Sequence, residues 1–221
     1  MKKNFQALLF LWMACLMMGC AMTRGILNVP FPTAANPAAG PSVKIVRVSD
    51  ERTFELKPRI PSIPSIKDGN ITDKTITARA IARKRNGYGA AMGDILLPEG
   101  ETVEGLVKAA VTRACRESGY RVVDQNETGF PSAIPLEASV QQFWAWFTPG
   151  FWTIDTDFIA EVKIVGDVSG FKNNASSVEG HYHKSGMAAG SGMWMKTITE
   201  GVEDLVANIK TRLAADKTAN R

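Results

Sequence analysis

Histidine, cysteine, long apolar runs and excess charge are all scarce in this chain, and each scarcity removes a class of function. His181 and His183 are the only histidines among 221 residues. Two apart on a strand they point to one face and supply half of a metal site, but no cysteine is near, so no metal is expected. Neither histidine is placed for Ser-His-Asp or Cys-His catalysis, and Asp155 and Asp157 beside Lys163 read as ordinary solvated carboxylates. No enzyme activity and no cofactor are expected. The formal charge of +4 is too slight to demand a polyanionic partner, so nucleic acid is not expected. GYGAAMG (87–93) lacks the GK[ST] ending of a phosphate loop. The longest apolar run, Ala7 to Met18, has twelve residues, short of the roughly 20 that a spanning helix needs.

What is present starts at the N-terminus. MKKNFQALLFLWMACLMMGCA places Lys2 and Lys3 before that apolar run and Gly19-Cys20 after it, which is the layout of a secretory signal. It resembles a bacterial lipobox, with Met17 where the usual pattern has Leu. The resemblance implies a signal peptide over 1–19 and lipidation of Cys20. Ala21 rather than Asp after the anchor then implies the outer membrane. Removal of Lys2 and Lys3 takes the charge from +4 to +2. Cys115 is left as the one thiol, so no internal disulfide can form.

Residues 20–42 are rich in Pro, Ala, Gly and Asn and read as lipid anchor and flexible linker, residues 43–216 as one periplasmic domain, and 217–221 as a tail. VKIVRV (43–48) reads as a strand. Prolines 58, 61 and 64 argue for an extended surface loop. Residues 71–89 alternate small apolar with polar side chains, as a strand does. Thr102 caps a helix whose stripe is Val103, Leu106, Val107, Ala110, Val111, Ala114 and Cys115, and Gly119 stops it. Residues 120–124, 135–147, 151–167 and 177–186 read as strands. A second helix over 191–215 carries Trp194, Ile198, Val202, Leu205, Val206, Ile209 and Leu213. The expectation is an α+β fold: a mostly antiparallel sheet of four to five strands with two helices packed on one face.

Two surfaces stand out. Phe143, Trp144, Trp146, Phe147, Phe151 and Trp152 crowd one hairpin as a candidate partner or ligand surface. Alternation puts Trp144, Trp146 and Trp152 toward the helices and the three phenylalanines opposite. Rings plugging the end of the sandwich are the plainer alternative. Arg79, Arg83, Lys84 and Arg85 form a candidate basic edge for anionic lipid or an acidic partner, or a solvated edge that guards against aggregation.

The lipobox-like start, ARKRNGYGAAMGDI (82–95), the helix ending in ESGYRVVD, the long hairpin and the last helix together resemble the YajG-like family of bacterial lipoproteins. The resemblance implies a small periplasmic domain anchored to the outer membrane. The expected function is a binding or accessory module for envelope assembly or transport, contacting the membrane through its lipid and an envelope protein through its body. The alternative is a carrier of a small ligand such as a cell-wall fragment, stacked on the Trp-rich hairpin.

Overall fold

The structure, a computed structural model, describes residues 23–86, 88–150, 152–171, 176–187 and 190–219. The signal segment, Cys20 and Phe151 lie outside these residues. In chain order the elements are β1 (Gly25–Ile26), β2 (Ser42–Asp50), a 3₁₀ turn (Lys67–Gly69), α1 (Lys74–Thr77), β3 (Ala80–Arg85), β4 (Ala91–Leu96), α2 (Val103–Glu117), β5 (Arg121–Val122), β6 (Ile134–Pro149), β7 (Ile154–Gly166), β8 (Ser176–Gly186) and α3 (Ser191–Ala219).

The 16-residue strand β6 organises the sheet. One edge of it pairs antiparallel with β7 from Leu136↔Gly166 to Pro149↔Ile154, and β7 pairs antiparallel with β8. The other edge is shared: β2 runs parallel to its first half, from Val43↔Ile134 to Asp50↔Val140, and β3 meets it in parallel at Ala82↔Ala145. Beyond β2 lies β5 in parallel, and beyond β3 lie β4 in antiparallel and β1 in parallel.

The described residues form an eight-stranded mixed sheet with four of its seven pairings parallel, and three helices. The expected four to five mostly antiparallel strands with two helices are therefore wrong. Alternation reveals that a strand exists but not its neighbour, and the parallel partners here are far apart in sequence. β1 and β5 have two residues each, too few to show any period. The segment from residue 71 is not one strand either. Asp73 accepts from the Thr75 amide and caps the single turn of α1 before β3 begins.

The two long helices form as their apolar spacing dictates. Thr102 accepts from the Gly105 amide at 3.1 Å, every residue of the α2 stripe is buried, and Gly119 takes φ 86° to end the helix. The buried α3 side chains Ile198, Val202 and Leu205 join those of α2 and the facing sheet residues Phe143, Phe158, Ala160 and Val162 in one core. Burying each large apolar side chain contributes about 1.5–3 kcal/mol. The opposite face of β3 and β6 is covered by residues 51–79, where Ile66, Ala80, Leu96 and Trp144 form a second, smaller core.

A bulge in β6 between Val140 and Gln142 shifts the alternation by one. Leu136, Ala138 and Val140 face the helices before it; Phe143, Ala145 and Phe147 face them after it. The residues following the lipobox are also placed. Leu27 and Val29 are buried, β1 pairs with β4, and Arg24 binds Asp94 through Nε–Oδ1 at 2.8 Å and Nη2–Oδ2 at 3.1 Å. Asn36 donates to the Val122 carbonyl at 2.9 Å and accepts the Val122 amide at 3.0 Å. From residue 24 onward the expected flexible linker is thus part of the fold.

Candidate functional site

The aromatic hairpin is largely interior. Phe143 and Trp144 are fully buried and Phe147 nearly so, Trp146 is half-buried, and Trp152 is exposed. The bulge reverses the expected facing. Phe143 stacks edge-on with Phe158 at 4.8 Å, and Phe147 meets Trp194 of α3 at 5.5 Å. Trp144 turns to the opposite face and meets Phe54 edge-on at 6.0 Å. Five of the six rings are described, and of these Trp152 is the exposed one.

Nor do the basic residues form a solvated strand edge. β3 lies between β4 and β6, so it is not an edge strand. Arg79 is half-buried and donates through Nε and Nη2 to the Leu97 carbonyl at 2.9 and 2.8 Å. Lys84 reaches the Thr23 carbonyl at 3.2 Å. Arg83 and Arg85, two apart on one side of β3, are 7% and 5% exposed. Arg83 Nε donates to the Met92 carbonyl at 2.7 Å and Arg85 Nη1 to the Gly89 carbonyl at 2.9 Å. Their remaining buried nitrogens, Nη1 of Arg83 and Nε and Nη2 of Arg85, have no partner. Burial pulls both guanidinium pKa values down from the ordinary arginine value, with Asp94 opposing the shift at Arg83 and the Arg85 charge adding to it.

These two arginines line a cleft of about 620 Å³ between the β3–β4 hairpin and the loop over residues 56–69. Lys57 and Arg59 add two further cations to its wall, Asp68 adds one carboxylate, and Leu56, Pro58 and Ile66 supply apolar surface. Asp68 holds φ 64°, a left-handed conformation that Asp tolerates better than most residues. The nearby Asp94 carboxylate is fully buried, and its oxygens are taken by Arg24 and by the Lys67 amide at 2.9 Å. The sequence marks this place only as a run of charges; what it hides is that Arg83 and Arg85 are enclosed.

His181 and His183 lie on the exposed side of β8. His183 Nδ1 pairs with Asp157 Oδ1 at 2.7 Å, which raises its pKa above the ordinary histidine value. Among the described residues no group of three or more His, Cys, Asp or Glu side chains could hold a metal ion. Cys115 is buried in the α2 stripe, and desolvation pushes its thiol up to about 12, which makes it unreactive.

The sequence matches no protein-family model and no curated protein. Two solved structures are similar in outline. A crystal structure of an uncharacterized protein shares 9% identity at a TM-score of 0.42, covering 86% of this chain and 97% of its own. A Xanthomonas campestris protein described as DUF330 shares 12% identity at a TM-score of 0.41, covering 90% of this chain and 99% of its own. Scores this low carry neither a site nor an activity across.

Proposed function

We propose that this chain is a lipoprotein of the YajG-like kind, acylated at Cys20 and held on the periplasmic face of the outer membrane. It acts there as a binding or accessory module for an envelope assembly or transport system, with an envelope protein as partner, and not as an enzyme. The observation that supports this reading is the short distance between the lipobox cysteine and the folded body. Gly25 is already paired in the sheet, and five residues of extended chain reach at most about 17 Å. An acyl chain on Cys20 would hold the body directly against the bilayer. Lys57 and Arg59 lie beside the exposed Leu56 and Ile60, so basic and apolar side chains are interleaved on one loop, a mixture that suits a lipid interface. No helix of the described residues is long and apolar enough to cross a membrane, so on this reading the lipid alone retains the chain.

Metabolic labelling with a palmitate analogue and membrane fractionation test the reading together. The wild-type chain should take up label and sediment with outer membranes, and Cys20→Ala should lose both properties. An unlabelled, freely soluble wild-type chain would overturn it.

A further inference from the structure

We propose that the cleft between the β3–β4 hairpin and the 56–69 loop binds a phosphate group, held by the guanidinium groups of Arg83 and Arg85. Each of these side chains is more than nine-tenths buried, and each already gives one hydrogen bond to a backbone carbonyl across the hairpin. Those bonds fix the guanidinium planes on a strand held from both flanks, so a ligand would meet donors that are already oriented.

The nitrogens left over define the ligand. Arg85 keeps Nε and Nη2 unpartnered, the adjacent pair along one edge of the guanidinium that grips two oxygens at once. Arg83 keeps Nη1. A carboxylate has two oxygens for this set, whereas a terminal phosphate has three. Buried donors without partners are unfavourable, and a buried charge without a counter-ion more so, so an oxyanion entering here recovers a loss the folded chain already carries. The long-range field agrees in sign, because four cations face one carboxylate, Asp68, in the cleft wall. Asp94 does not compete for the free donors, since its oxygens are occupied by Arg24 and the Lys67 amide. The apolar wall of Leu56, Pro58 and Ile66 leaves room for an organic body behind the phosphate. That body is a soluble phosphate ester or a lipid head group; the phosphate chemistry is shared. The inference stands independently of acylation at Cys20.

The test uses the full chain, in detergent micelles for the unfolding measurements and freed of detergent for vesicle binding, with inorganic phosphate as the first probe. Phosphate should raise the unfolding midpoint saturably, above any shift given by chloride at equal ionic strength. Arg85→Lys keeps the charge and loses the fork, and should weaken binding at least tenfold. Ala90→Glu places a carboxylate on an exposed residue of the cleft wall, leaves the arginines and their backbone bonds in place, and should abolish binding. Asp68→Asn should tighten it. The source is then separated with glycerol phosphate and with phosphatidylcholine vesicles containing or lacking phosphatidic acid. Binding of glycerol phosphate alone identifies a soluble ester. Binding of phosphatidic acid vesicles that Ala90→Glu removes identifies a lipid head group. A phosphate shift no larger than that of chloride, or an equal shift in wild type and Ala90→Glu, would overturn the proposal.

Discussion

Arg52 and Asp50, two residues apart at the end of β2, face each other through a bidentate pair, Nε to Oδ1 at 2.8 Å and Nη2 to Oδ2 at 2.7 Å. The Arg52 side chain is fully enclosed and also donates to the carbonyls of Ala80, Phe143 and Thr77. One guanidinium therefore ties the end of β2 to the start of β3 and to β6 just past its bulge. Removing it strands a carboxylate and three carbonyls. Arg52→Ala should lose about 3–5 kcal/mol of unfolding free energy in urea titrations, the range for breaking a buried pair. A loss below about 1 kcal/mol would show that water replaces the side chain without difficulty.

Gly201 of α3 lies so close to Phe158 of β7 that a Cβ on the glycine would occupy the ring's own space. Gly180 of β8 is equally confined, against the Gly201 carbonyl and Leu205. The helix can approach the sheet this closely only because both side chains are missing. Gly201→Ala should destabilise by about 1–3 kcal/mol through overpacking. Gly192→Ala in the same helix has open space around it and should cost nothing. Thermal unfolding of the two variants side by side checks the contrast.

His183 donates through Nδ1 to Asp157 on the exposed face of β7 and β8, and the carboxylate favours the protonated ring. The folded pKa is raised, so any stabilisation is fully present below the unfolded value near 6.5 and fades as pH rises through the folded value. Proton NMR titration should give His183 a pKa above that reference, and Asp157→Asn should bring it back. Because the pair is solvent-exposed, the unfolding midpoint should barely move between pH 5 and pH 8.

Cys115 should resist thiol reagents in the native state, since its thiol is buried and pushed up to about 12. Its labelling rate should follow global unfolding and rise with denaturant. Rapid labelling of the native chain would place α2 in a locally opening unit.

How much of this was legible in the sequence depends on the length over which a pattern could repeat. The stripes of α2 and α3 were readable residue by residue because each helix keeps one face on a single core over several turns. β6 was readable as a strand, but the bulge at residues 140–142 moved Trp144 and Trp146 to the face away from the helices. The change of phase falls at the adjacent Gln141 and Gln142, but the nearly unbroken run of rings after it hides which parity faces the helices. The proline-rich segment was correctly a loop, yet Pro64 and Ile66 in it are buried, because the far face of β6 needed a cover. For the candidate site the charges at Arg79, Arg83, Lys84 and Arg85 were visible and their burial was not. Charged side chains on a strand read as exposed until the strand's neighbours are known, and the neighbours of β3 include β6, which lies far along the chain.

The early entry of β1 into the sheet has a further consequence for a chain acylated at Cys20. Arg24, four residues after Cys20, is already clasped to the sealed carboxylate of Asp94. On that reading the β1–β4 margin is held within a short reach of the lipid. Added residues between Cys20 and Arg24 would then lengthen that reach while leaving the domain's fold and its cleft untouched.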